Sequence, residues 1–229
     1  YLALCFFLID GEGPGRTPLF PYALAFILIV GNKKTFAMMN SYYSTIDDNL
    51  IEVSEGDTLS LGRHELTFVM APMVHWPEVM FTYDKTDKVL FSADAFGTFG
   101  TLDGNVLDTR LDTKHYFEEM ERYYSCIVGK YGKFVQKTLE KVKSMNLEIK
   151  AICPLHGPVW TDEAARAIAI CDKLSRYEAE KGAVVLYGSM YGNTAALADT
   201  IARGIGSKGI KHVVTYDVSR GNPSLIIRD

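Results

Sequence analysis

The chain has 229 residues, 48% of them hydrophobic and 23% charged, with a formal net charge of −4. That length suits one large domain, or one domain and a piece of another, with enough apolar material for a sizeable core. The negative balance argues against a nucleic-acid partner, and four scattered cysteines without a Cys-x-x-Cys pair exclude a local zinc knuckle and favour a reducing, cytoplasmic compartment.

The first thirty residues hold two apolar runs, YLALCFFLID and LFPYALAFILIV, parted by GEGPGRTP. Both fall short of the ~20 residues that span a bilayer, and no basic segment leads to a small-residue cleavage site. Buried strands or a buried helix are expected, with no membrane association. The chain begins without methionine and stops at Asp229, which reads as a fragment.

GNKKTFAMMNSYY reads as a polar turn and then a helix. A turn at Glu55, Gly56 and Asp57 precedes a hairpin-like run from Glu65 to Met70. Residues 84–87 form another turn before the short buried strand KVLFSAD. The segment TKHYFEEMERYYSCIVGKYGKFVQKTLEKVKSMN has helical periodicity, broken near Gly129. LEIKAICP is a strand, and Thr161 or Asp162 is expected to cap the helix DEAARAIAICDKLSRYEAE. Composition shifts at Lys181: GAVVLYG is a strand, SMYGNT a loop, AALADTIARGIGSKG a helix and HVVTYDVS a second strand. This order is one unit of a parallel, doubly wound sheet. The expected organisation is therefore residues 1–180 as one domain and 181–229 as the start of a second.

Three side chains share one context. His75 follows the strand LTFVMAP, Asp94 ends KVLFSAD, and His156 follows LEIKAICP. Equivalent ends of neighbouring strands gather on one rim of a sheet, and imidazole with carboxylate there suits iron, zinc or manganese. An aspartate between two histidines could bridge two ions, one on each oxygen; alternatively the three ligands make one open catalytic site, being by themselves too few for a well-held pair of irons. A lone histidine is more often a hydrogen-bonded structural residue, and His64, His115 and His212 are read that way. Glu78, beside His75, is either a group that orients the histidines or a solvated surface residue; Trp76 either walls off a substrate pocket or packs in the core, and packing is preferred.

The loop Ser189, Met190, Tyr191, Gly192, Asn193 and Thr194 joins a buried strand to a helix. Free N–H groups at the helix start and nearby hydroxyls form a cradle for a phosphate, and Gly192 allows close backbone approach. The loop matches neither G-x-G-x-x-G nor G-x-x-x-x-G-K-[ST], so a nicotinamide dinucleotide or a nucleoside triphosphate is the poorer guess. The alternative is an ordinary capped turn.

HWPEVMFTY, LFSADAFG, ICPLHGPVW and LYGSMYGNT, in this order, resemble the flavodiiron (A-type flavoprotein) family from about residue 30 to the end. The resemblance implies an α/β fold: a metallo-β-lactamase-like αββα sandwich, then the first βαβ unit of a flavodoxin-like domain. It implies a non-heme di-iron centre, with His75 on one iron, His156 on the other and Asp94 between them. It further implies FMN with its phosphate at residues 189–194, a head-to-tail homodimer, and reduction of dioxygen to water or nitric oxide to nitrous oxide. Electrons would come from rubredoxin or a similar donor. The family's His-x-Glu-x-Asp-His segment has no counterpart, because no histidine precedes His64 and the expected neighbourhood offers only Asp10 and Glu12. A zinc hydrolase of the metallo-β-lactamase fold and a non-catalytic flavin-binding module are the alternatives.

Overall fold

The computed structural model describes residues 29–43, 50–102 and 104–229. The expectation for the first apolar runs falls largely outside these residues. Nine strands and six α-helices lie within them. The centre is a five-stranded sheet in the order β3-β4-β5-β6-β7, formed by Thr58–Ser60, Glu65–Met70, Met80–Asp84, Val89–Phe91 and Ala151–Cys153. β3 to β6 pair antiparallel, and β6 pairs parallel with β7.

Alternation along β4 decides the layering. Leu66 and Phe68 face one side, where they pack with Val30 and Val53. Val30 lies in β1 (Ile29–Gly31) and Val53 directly follows β2 (Leu50–Glu52), the two strands of a small parallel sheet. Val69 faces the other side and joins Phe81, Leu90 and Ile152 in the larger core. That core is closed by helices α2 (Thr113–Tyr123), α3 (Gly132–Ser144) and α4 (Ala164–Ser175), through Met120, Val135 and Ala167. A strand buried on both faces must carry apolar residues at both parities, as ELTFVM does. Helix α1 (Lys33–Tyr42) follows β1 directly and contacts it. Each large side chain sealed here contributes roughly 1.5–3 kcal/mol.

Asn32 starts α1, its Oδ1 accepting from the N–H groups of Lys34 and Thr35, and its Nδ2 donates 2.7 Å to the carbonyl of Glu78. The break read near Gly129 is a π turn over Tyr124–Val128 followed by a 3₁₀ turn over Gly129–Tyr131. The cap read for α4 is corrected. Neither Thr161 nor Asp162 caps it; the Ncap residue is Glu163, without a side-chain bond. Buried Asp108, from a distant turn, instead braces the segment that leads into α4, accepting from the N–H groups of Thr161 and Glu163. The LEIKAICP strand is also shorter than read, because only Ala151–Cys153 finds partners.

The last 48 residues include a separate parallel pair, β8 (Gly182–Tyr187) and β9 (His212–Asp217), joined by α5 (Asn193–Ser207). A short helix α6 (Pro223–Arg228), which the sequence reading did not separate out, follows. Arg122 on α2 donates 2.8 Å to the Ser224 hydroxyl, tying α6 to the sandwich. No helix among the described residues is long and apolar enough to cross a membrane.

Candidate metal centre

β5 runs opposite to β4 and β6, so β4 and β6 point the same way, and β7 follows β6 in parallel. The chain therefore leaves β4, β6 and β7 at one edge of the sheet. The loops there are stitched together: Leu155 N–H donates 2.8 Å to the Ala93 carbonyl, and Thr98 N–H donates 3.2 Å to the His156 carbonyl. Gly157, at φ +85°, permits the second contact, since a Cβ there would stand 2.2 Å from Thr98 Oγ1. Ala93 at φ 51°, Phe96 at φ 64° and Met73 at φ 66° are left-handed non-glycine residues on the same loops.

This edge brings His75, Asp94 and His156 together. Asp94 Oδ2 lies 3.5 Å from His75 Nε2, and Asp94 Oδ1 lies 3.4 Å from His156 Nε2. Each carboxylate oxygen thus faces a different imidazole. Two ligands held ~2.1 Å from one ion at a tetrahedral angle stand about 3.4 Å apart, so the two gaps fit an ion between each pair. His75 and Asp94 are mostly buried, with side chains 24% and 19% exposed, whereas His156 is 56% exposed. Among the described residues, three potential ligand atoms lie within 4.8 Å of one another only at His64, Asp84 and Asp87. The rim trio does not converge in that way. It suits a carboxylate reaching two ions better than three side chains around one.

The His64 cluster is already satisfied from within. Asp84 Oδ1 accepts from Thr86 and Asp87 N–H groups, and Oδ2 lies 2.7 Å from His64 Nδ1. Burial pushes the Asp84 carboxyl upward, but these hydrogen bonds outweigh it and hold the group below the usual range. His64 is thus the hydrogen-bonded structural residue expected. His115 packs edge-on against Tyr116, and His212 begins β9.

Above Asp94 and His156 opens a cavity of about 440 Å³, walled by Met38 and Met39 of α1, Trp76 and Leu155. Trp76 is 38% exposed and lines this space, so its assignment to packing is corrected. Glu78 lines the same cavity. The purely solvated reading of Glu78 also fails, because its Oε2 is buried with no hydrogen-bond partner. Tyr123, not singled out in the sequence, leans on His156 with ring centroids 5.8 Å apart, and Phe99 backs Tyr123 at 5.0 Å. Burial first, and then the charge of Asp94, raise the Tyr123 phenol well above its ordinary value, so it stays a neutral wall. Its signal was the Tyr116, Met120, Tyr123 stripe on α2, which sequence alone does not separate from plain core.

The second predicted site lies at the β8-to-α5 junction. Gly192 takes φ +91° as the residue before α5, and its N–H donates 3.0 Å to Ser189 Oγ. Met190, Tyr191, Gly192, Asn193 and Thr194 are all exposed. The first-turn N–H groups of α5 have no intrahelical acceptor, and no atom lies within 4 Å of where a Gly192 Cβ would be. Open donors beside two hydroxyl side chains are a donor set that fits a phosphate.

The family profile described as ODP family beta lactamase matches residues 24–157, more than half of the chain. A nitric oxide reductase of Moorella thermoacetica is 31% identical over 201 residues, covering 88% of this chain and 50% of that protein. The rubredoxin oxygen:oxidoreductase of Desulfovibrio gigas superposes with a TM-score of 0.83 at 25% identity, covering 87% of this chain and 50% of that one. The flavodiiron protein of Giardia intestinalis gives 0.81 at 29% identity, covering 87% and 48%. The chain spans about half the length of the curated relatives it matches. It belongs to the ODP beta-lactamase family and is a homologue of the flavodiiron proteins.

Proposed function

We propose that this chain is part of a flavodiiron oxidoreductase that reduces dioxygen to water, nitric oxide to nitrous oxide, or both. The observation that carries the reading is the split of Asp94, whose two oxygens face two different imidazoles at 3.5 and 3.4 Å. His75 and His156 would each hold one iron and Asp94 both, with the carboxylate offsetting part of the ions' charge. The names of the relatives, a nitric oxide reductase and a rubredoxin oxygen:oxidoreductase, support the reaction class and a rubredoxin-like donor. Bound iron would supply electrons and open coordination positions for a small diatomic molecule, with FMN as the electron store.

The chain's own residues shape that chemistry. Met38, Met39, Trp76 and Leu155 leave a largely apolar cavity over His156, wide enough for a diatomic molecule. Tyr123 packs against the His156 ring. Residues 189–194 would take the FMN phosphate through the first-turn N–H groups of α5, with Ser189 and Thr194 hydroxyls beside them. We assign residues 1–180 to the metal-binding domain and 181–229 to the flavin-binding one; their separate sheets support that boundary. A head-to-tail homodimer in the cytoplasm belongs to the same reading.

The test is anaerobic reconstitution of the purified chain with ferrous iron and FMN, followed by metal and flavin analysis. An iron pair with bound flavin, and consumption of oxygen or nitric oxide under a reduced rubredoxin, is the expected outcome. Zinc without flavin would point to a hydrolase instead, and flavin without metal to a binding module.

A further inference from the structure

Glu78 is a half-buried carboxylate without a role in the fold. One of its carboxylate oxygens is buried and has no hydrogen-bond partner, a condition that costs roughly 1–3 kcal/mol, and more for a charged group. Its backbone is nonetheless pinned, because Asn32 Nδ2 donates 2.7 Å to the Glu78 carbonyl while Asn32 Oδ1 caps α1. The segment is therefore held in place by a second element. Glu78 lines the 440 Å³ cavity together with Asp94 and His156, and that lining contains two carboxylates, one imidazole and no lysine or arginine. Apolar walls around uncompensated negative charge strengthen the pull on a cation.

We propose that Glu78 is a positioning residue for the cation held between Asp94 and His156, its carboxylate adding negative charge beside that cation. The proposal rests on the metal reading of the rim trio. The carboxylate acts by its charge and not as a direct ligand, because Glu78, Asp94 and His156 do not bring three ligand atoms within 4.8 Å of one another. Added negative charge in the same cavity is the part that outer carboxylates play at metal centres. Chain length also favours this residue: Glu78 lies three residues after His75, on the loop between β4 and β5 whose Met73 N–H and Ala71 N–H are bonded back to Trp76 and Val79.

The test is titration of the purified full chain with Co²⁺, followed by visible absorption and by the cobalt-induced rise in Tm. Glu78→Gln, which keeps shape and removes charge, is expected to weaken cobalt binding about 10- to 100-fold. The metal-free Tm should stay level or rise, because a group with one buried, unpartnered oxygen no longer carries charge. Glu78→Asp, which restores the carboxylate, is expected to recover part of the affinity. A merely structural role would move the metal-free Tm and leave cobalt affinity alone. Equal affinity in wild type and Glu78→Gln overturns the role of Glu78 while leaving the metal centre standing. No cobalt binding by the wild type overturns both.

Discussion

Asp108 is the best place to test how the loop carrying His156 is held. Its carboxylate is 3% exposed and accepts four hydrogen bonds. They come from Thr109 N–H at 2.8 Å, Thr161 N–H at 2.7 Å, Glu163 N–H at 2.9 Å and the Thr161 hydroxyl. Asp108→Asn preserves volume but replaces one oxygen with a donor. With the amide nitrogen in place of Oδ1, the Thr161 hydroxyl can turn and accept from it, and the Thr109 N–H alone loses its acceptor. The bonds that remain lose their charge assistance, and hydrogen bonds to a charged group are worth about 1.5–3 kcal/mol, so a loss of about 2–3 kcal/mol is expected. In a chain of this size that lowers Tm by about 4–12 °C. Burial pushes the Asp108 carboxyl up, yet the bonds from Thr161, Glu163 and Thr109 outweigh it, and the net shift is downward. A depressed folded pKa contributes stability that is present above the unfolded value of ~3.9 and is lost as pH falls through the folded value. The gap between wild type and variant should thus be full at neutral pH and close below about pH 4. Urea unfolding followed by circular dichroism across that range measures it. A loss below about 1 kcal/mol at pH 7, or a gap indifferent to pH, would refute the reasoning.

Gly157→Ala places a Cβ 2.2 Å from Thr98 Oγ1 at φ +85°. Left-handed strain and overpacking together predict a loss of about 2–5 kcal/mol in denaturant unfolding, together with weaker metal binding as His156 shifts. Asp94→Asn leaves one neutral acceptor where two charged oxygens stood; metal analysis after dialysis should find at least about a 100-fold loss of affinity for one ion, since outer partners alone contribute about 10–100-fold.

Much of the scaffold was legible because its signals are local. ELTFVM has apolar residues at both parities, and only a strand covered on both faces needs that. The glycine in SCIVGKYGK marked where α2 gives way to α3 through π and 3₁₀ turns. The α4 cap was missed for the opposite reason. Thr161 and Asp162 have the right chemistry near the right offset, but buried Asp108, 53 residues before Thr161, fixes the turn there by accepting from the Thr161 and Glu163 N–H groups and the Thr161 hydroxyl. Local propensity gives way when a distant carboxylate can satisfy two donors and a hydroxyl at once.

The gathering of His75, Asp94 and His156 was legible for a topological reason. An antiparallel strand between β4 and β6 reverses direction twice, so the exits from β4, β6 and β7 share an edge whatever the lengths of the loops. A histidine or aspartate just past such a strand is delivered to that edge by connectivity alone. What connectivity does not deliver is aim. Ala93 and Phe96 hold left-handed backbone on either side of Asp94, and Met73 does so two residues before His75, at a cost of about 1 kcal/mol or more each. No residue type in the sequence announces those angles, since glycine would take them without strain. They persist because the edge is tied elsewhere, through the Ala93–Leu155 and Thr98–His156 backbone bonds. Strand order thus brings the three side chains to one edge, and strained loop backbone, fixed by bonds to neighbouring loops, turns each oxygen of Asp94 toward its own imidazole.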